Sequence, residues 1–369
     1  MSTSTTSPPS NLDSKTIAYL LSPHHDPSIR FQAHRDLLRS PPSTYLPIRA
    51  LILTTGHGAR LFAHQDPTTG LWAAGSFVPA DFLSDEWTAV GQPWTATSFV
   101  LTELRLLGLD PASPEARRTL ELVGRNCKWD EGGQDYWDGE TEECINGRTV
   151  ADGAYFGVTD KVEGILKRLV GEQMDDGGWN CERERGSKRG AFASTLNVLE
   201  GLIEFQRGVG EKGGSVGEEV VKARKCGEEY LLRRALVKRE STGKVVDQRF
   251  LQLMWPWRWR YDVLRVLEYF RTVGEVAGER PDGRLREAVE HESTMYYFTS
   301  SPHDTPPDTG PVETNRYYLI FVIFSLVLIS LIQPSGRTLD SSIVDLVWLR
   351  ASPLARLVDM GCFLSRIFT

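Results

Sequence analysis

The chain has 369 residues, 40% hydrophobic and 25% charged, an ordinary globular balance with room for one large domain or two smaller ones. Its net charge of −7 excludes broad nucleic-acid binding, which needs a basic face against the phosphates. The short basic runs Arg183 to Arg189 and Arg233 to Arg239 read as solvated helix ends or loops.

Residues 1–15 are rich in Ser, Thr and Pro, carry no apolar run, and read as a disordered leader. The five cysteines are Cys127, Cys144, Cys181, Cys226 and Cys362. Their odd number, the absence of CxxC spacing and the polar start set the expectation of free thiols in a reducing cytoplasm.

Internal repeats occupy the body, residues 16–292. Three apolar segments align: Trp94 to Leu109, Cys144 to Val158 and Ala193 to Phe205. Thr95, Cys144 and Ala193 recur at a step of 49 residues, as do Leu101, Val150 and Leu199, and Leu107, Phe156 and Phe205. A fourth segment, WRYDVLRVLEYF from Trp259 to Phe270, follows after a longer interval. Amphipathic stretches lie between. Ser113 and Pro114 form a helix start before Leu120, Leu122 and Val123. Asp160 and Glu163 read as a capping box before the stripe Val162, Ile165, Leu166, Leu169 and Val170. The unit is an apolar helix followed by an amphipathic one. It cannot bury its apolar member alone, but a stack of units can, and closing the stack into a ring removes the raw ends.

Glycine-rich aromatic turns precede the apolar helices. They are QDPTTGLW from Gln65 to Trp72, DEGG from Asp130 to Gly133 between Trp129 and Trp137, and QMDDGGW from Gln173 to Trp179. Glycine supplies positive φ there, and Gln and Trp can brace the turn against the preceding helix. Their first reading is structural.

These turns resemble the QW-type repeats of squalene–hopene cyclases and the related turns of protein prenyltransferase β subunits. The runs QMDDGGWNCERE, FASTLNVLEGL and WRWRYDVLRVLEYF, with DPSIRFQAHRDLL from Asp26 to Leu38, are similar to small single-toroid proteins with prenyltransferase or squalene-oxidase repeats. The resemblance covers about residues 16–290. It implies an all-α fold, an α/α toroid or double-walled ring of helical hairpins, incomplete at its C-terminal end. It also implies a hydrophobic, isoprenoid-like small molecule in a central cavity, cyclised or prenyl-transferred in specialised metabolism. The alternative is a non-catalytic lipid-binding or protein-interaction toroid. That reading draws on the absence of both a DxDD acid motif and a DDxxD magnesium motif; Asp175 and Asp176 sit in a turn instead.

Protein prenyltransferases hold zinc through an Asp, a Cys two positions later at an inner-helix start, and a distant His. The resemblance maps Glu142 and Cys144 onto the first two, and Cys181 is expected at the same cavity mouth. Ala193 and Arg260 stand where related chains often carry His, which leaves the ligand set incomplete, with Asp262 as a substitute. Zinc suits such a donor set. The catalytic candidates are Cys144, Asp262 and Asp152. Trp94, Trp179, Trp257, Trp259, Tyr261 and Arg260 are candidates for lining a substrate site, because aromatic faces hold isoprenoid chains and carbocations; core packing competes for each of them. Asp152 and Glu200 on apolar helices must be paired or face a wet cavity, and Arg260 with Asp262 reads as an ion pair.

Residues 293–369 differ in character. A Ser/Pro/Asp-rich stretch from Tyr296 to Pro311 leads to the uncharged run YYLIFVIFSLVLISLI, residues 317–332. A spanning helix needs about 20 apolar residues. A membrane anchor, a buried closing element and translated non-coding sequence are the three readings.

Overall fold

Alternating apolar and amphipathic helices make up residues 14–82, 93–252 and 256–290, the parts that the computed structural model describes. Among these residues there is no β-strand, only two isolated bridges, Lys128 with Asp135 and Lys238 with Val245. The fold is all-α. Of the leader expected over residues 1–15, residues 1–13 lie outside the described residues, as does the atypical tail with its 317–332 run, whereas Ser14 and Lys15 belong to a helix that begins at Ser14. No helix among the described residues is long and apolar enough to cross a membrane.

The helices are α1 (Ser14–Leu20), α2 (Pro27–Gln32, continued by a π-helical turn, Ala33–Leu37), α3 (Pro42–Ala50), α4 (Gly56–Ala63), α5 (Thr97–Leu107), α6 (Pro114–Asn126), α7 (Glu143–Tyr155), α8 (Thr159–Gly171), α9 (Phe192–Glu211), α10 (Glu218–Leu232) and α11 (Val263–Ala277). The four apolar segments are α5, α7, α9 and α11, and each packs on the next. Leu101, Val150 and Leu199, at equivalent repeat positions, are all fully buried. Amphipathic α8 turns Val162, Ile165, Leu166 and Leu169 inward against α7, and α10 packs on α9.

Small residues set the closest of these contacts. A Cβ on Gly147 of α7 would lie 2.6 Å from the carbonyl carbon of Asn197 on α9, and one on Gly208 would lie 3.0 Å from Ala154 O. The two backbones touch along their length, which only glycine permits there.

Local signals explain the helix ends. Ser113 caps α6, accepting the Ala116 N–H at 3.3 Å, with Pro114 behind it. The capping box expected at Asp160 and Glu163 does not form. The chain turns at Gly157, with φ of +83°, so helix α8 starts at Thr159 and carries Asp160 inside its first turn. Asp160 there meets the positive end of the helix dipole rather than capping it.

The turns are of two kinds. In the first, Gln65 Nε2 donates to Gly70 O and to Thr119 Oγ1 on α6, and Trp72 Nε1 donates to Leu61 O on α4. The turn at 173–179 repeats this: Gln173 Nε2 donates to Gly177 O and Ala223 O, and Trp179 Nε1 to Leu169 O. The bracing role expected for Gln and Trp is therefore found. The DEGG segment differs. It forms a hairpin after α6, in which Trp129 N donates to Gln134 O, and Arg239 with Lys244 builds the same hairpin after α10. The two connection types alternate along the chain.

One polar position fixes each turn to its apolar helix. Thr97 Oγ1 accepts the Trp72 N–H at 3.2 Å, and Thr195 Oγ1 the Trp179 N–H at 3.0 Å. Asn146, midway between them in the repeat, accepts the Glu140 N–H at 2.8 Å and donates to Glu140 O at 2.6 Å. The lead into α11 also reaches α5: Arg258 donates to Trp94 O at 3.2 Å and lies 3.6 Å from Glu103.

Candidate functional site

Two thiols and a carboxylate meet at the start of α7. Glu142 is the N-cap residue, and Cys144 lies in the first turn, where backbone N–H groups have no helical partner. The Cys144 N–H donates to Cys181 Sγ at 3.4 Å, and the Cys144 thiol donates to Glu142 Oε2 at 3.5 Å. Cys181 follows the turn anchored by Trp179, and Ser194 of α9 holds it, with Oγ 3.4 Å from its N–H and 3.3 Å from its Sγ. Arg183 ties the same loop down, pairing with Glu143 at 2.8 Å and Glu172 at 3.2 Å.

Donor atoms of Glu142, Cys144 and Cys181 all lie within 4.8 Å of one another, and the three residues are half-buried. Ligands around a tetrahedral zinc are spaced at about 3.5–3.8 Å, given Zn–S of about 2.3 Å and Zn–O of about 2.1 Å. The set fits a thiophilic cation after small side-chain shifts. It supplies three protein ligands, the number typical of a zinc site that keeps one position open. The neighbouring Cys181 thiol, then burial, then Glu142 push the Cys144 thiol well up. Burial raises Glu142, against the hydrogen bond from Cys144. A bound cation reverses both trends, because it favours the anionic forms.

One turn along α7, Arg148 is buried and its Nε has no hydrogen-bond partner. Its NH2 group donates to Thr102 Oγ1 at 3.1 Å, and its guanidinium lies 4.5 Å from the Phe99 ring centroid. Burial brings Arg148 down to about 10; the Asp152 charge opposes the drop and Arg265 adds to it.

Asp152 is not part of the thiol cluster. It accepts from Arg105 Nε at 2.8 Å and from Thr102 Oγ1 at 2.7 Å, clamping α7 to α5. Asp262 is fully buried as the N-cap of α11. One of its oxygens takes the Arg265 N–H at 2.8 Å, and the other has no partner. Burial raises it to about 7, against the Arg265 N–H and charge. The expected Arg260–Asp262 ion pair does not form, because Asp262 points into the helix start while Arg260 is exposed. Arg265 supplies the buried cation there, paired with Glu200 at 2.6 Å.

The aromatic candidates divide. Trp179 is fully buried and braces its turn. Tyr261 is buried against Phe192 and Phe250, with its hydroxyl donating to Leu236 O at 2.5 Å. Both are core residues. Trp257 is buried under the Arg265 guanidinium, 5.8 Å from its ring centroid. Trp94 is half-buried edge-on to Phe99, and Trp259 is 44% exposed. Trp94 precedes the start of α5, and Trp257, Trp259 and Arg260 precede that of α11.

Arg105, Arg148, Arg265 and Thr102 were not singled out from the sequence, although they shape the space between the helices. Arg105 of α5 feels Glu204 and Glu200 of α9, and Arg148 of α7 feels Arg265 of α11, so next-but-one helices turn charges toward one another. The signal available was a charged residue interrupting each apolar run, an arginine in three of them and Glu200 and Glu204 in the segment from Ala193 to Phe205. A cavity of about 490 Å³ lies at the other end of α7, lined by Leu120, Tyr155, Phe156, Val158, Arg117 and Lys161 among others. None of its lining residues belongs to the thiol cluster.

The chain matches no family model, no curated protein and no solved structure.

Proposed function

We propose that the protein is a terpenoid-cyclase- or prenyltransferase-like α/α toroid that acts on a hydrophobic, isoprenoid-like substrate, with zinc held by Glu142, Cys144 and Cys181. The observation that supports this is the meeting of two thiols and a carboxylate from separate segments at the first turn of α7. Bound zinc would supply Lewis acidity and stabilise a thiolate or hydroxide at neutral pH. Ser194 and the Cys144 N–H orient the Cys181 sulfur. Arg148, one turn away, adds a buried positive charge whose Nε has no hydrogen-bond partner. Trp94 and Trp259 give apolar area for a hydrocarbon chain. The cytoplasm is the compartment this reading assumes, with residues 317–332 as the candidate segment for membrane association.

The test is metal analysis of the purified full chain. About one zinc per chain is expected, lost in Cys144→Ala and in Cys181→Ala, together with turnover of an isoprenoid diphosphate or of squalene. Stoichiometric absence of metal after zinc loading overturns the zinc site. A second reading, a non-catalytic lipid-binding or protein-interaction toroid, draws on the Arg105–Asp152 and Arg265–Glu200 pairs that occupy the space between the apolar helices. It predicts no turnover even in zinc-loaded protein.

A further inference from the structure

Cys144 and Cys181 have a second chemistry open to them that needs no metal. Their sulfurs lie within 4.8 Å of each other and come from positions 37 residues apart. The Cys181 sulfur already rests on the Cys144 N–H at 3.4 Å, over the first turn of α7. Both residues are half-buried, so a small thiol reagent can reach them, whereas Cys127 is buried and Cys226 lies elsewhere, beside Gly177. A disulfide needs S–S of about 2.0 Å, so less than about 3 Å of approach is required. The loop bearing Cys181 is exposed over Glu182, Glu184, Arg185 and Gly186, so the approach can come from rotation of the two cysteine side chains while the Arg183 ties stay in place.

We propose that Cys144 and Cys181 form a reversible disulfide, a modification site in which only the reduced form can hold a metal. The oxidant is a low-molecular-weight disulfide such as oxidised glutathione. One protein thiolate attacks a glutathione sulfur, the glutathione S–S bond breaks, and one glutathione leaves as thiolate. The second protein thiolate then attacks the mixed disulfide at the protein sulfur and displaces the other glutathione. Two electrons pass from the protein to glutathione disulfide, and the two thiol protons end on the two glutathione thiols. A reducing cytoplasm keeps the pair open, and an oxidising episode closes it. The inference uses the sulfurs of the proposed zinc site and stands whether or not metal binds.

The full chain, stripped of metal with a chelator, is incubated with oxidised glutathione and mapped by non-reducing tryptic mass spectrometry. The expected product joins residues 129–148 to residues 169–183, with the loss of two hydrogens, and dithiothreitol reverses it. Cys144→Ser and Cys181→Ser are each expected to show a glutathione adduct on the remaining cysteine. Glutathione adducts alone in the unmutated chain, linkage to any other cysteine, or no oxidation at all would overturn the proposal. Repeating the oxidation after zinc loading separates the two ideas. Protection by zinc supports the metal site, while unprotected but specific Cys144–Cys181 linkage removes the zinc reading and leaves the disulfide standing.

Discussion

A methyl group placed on Gly201 of α9 would land on the Gly147 carbonyl of α7, 3.1 Å from its carbon atom and in overlap with its oxygen. Helix propensity favours alanine over glycine by about 1 kcal/mol, so the sign of a Gly→Ala change reports the local space. Gly164 on α8 is exposed, with nothing within 4 Å of an added Cβ. Gly164→Ala is therefore expected to stabilise by up to about 1 kcal/mol. Gly201→Ala is expected to destabilise by about 1–3 kcal/mol, because a backbone oxygen cannot move aside as a side chain can. Urea denaturation of the two variants decides it. Stabilisation by both would mean that α7 and α9 do not approach this closely.

The aromatic turn residues act on stability rather than on ligands. Trp179 fills a fully buried site and gives its indole N–H to Leu169 O. Trp179→Phe leaves that carbonyl unpaired and a gap behind the smaller ring, at a cost of about 2–4 kcal/mol. Gln173→Ala frees the Gly177 and Ala223 carbonyls and costs about 1–2 kcal/mol. Thermal and urea unfolding should show both losses, while metal content in the folded fraction stays that of the unmutated chain. Loss of metal without loss of stability would instead return Trp179 to the list of site residues.

The helical repeat was legible because its buried positions sit at one register: Leu101, Val150 and Leu199 share a step and share full burial. The thiol cluster was legible in part, through the resemblance that maps an acid and a cysteine two positions later onto Glu142 and Cys144. Cys181 joined it through the turn that Trp179 anchors. The pairing of charges was not legible. Helix α7 is buried nearly all round, with polar residues interspersed, so its periodicity marks no face, and nothing local says that Asp152 meets Arg105. The DEGG segment shares its Asp and Gly with the Gln–Trp turns, yet it lacks the Gln that reaches the next amphipathic helix, and a hairpin forms in its place. Asp262 is a carboxylate directly before an apolar helix, where the ordinary task of Asp is capping.

Asp152 and Arg105 form a buried pair, with the carboxylate 1% exposed and the guanidinium 10%. If their task is to clamp α5 to α7, removing one partner strands the other charge. Asp152→Ala is then expected to cost about 3–5 kcal/mol. The double replacement Arg105→Met with Asp152→Leu should recover much of that, because two apolar side chains of similar volume leave no charge unpaired. Unfolding free energies for Arg105→Met, Asp152→Leu and the double give the coupling directly. Additive losses would show that the pair does not act as a unit, and would reopen a catalytic role for Asp152.

Asp262 makes stability depend on pH in a direction opposite to an ordinary surface carboxylate. Its carboxyl is raised from 3.8 to about 7 in the folded protein, chiefly by burial. The folded state therefore holds this proton more tightly than the unfolded one. The contribution is complete below the unfolded pKa, shrinks as pH climbs between roughly 4 and 7, and is gone above the folded pKa. The span amounts to on the order of 4 kcal/mol, at about 1.4 kcal/mol per pKa unit. Asp262→Asn keeps an oxygen to accept the Arg265 N–H and removes the titration. Relative to the unmutated chain, the Asn variant should gain stability as pH rises from 4.5 to 7.5. Other carboxylates titrate alike in both proteins and cancel in the difference, so urea midpoints at several pH values suffice. A difference that stays flat across this range would mean that Asp262 is ionised throughout, held so by Arg265 despite its burial.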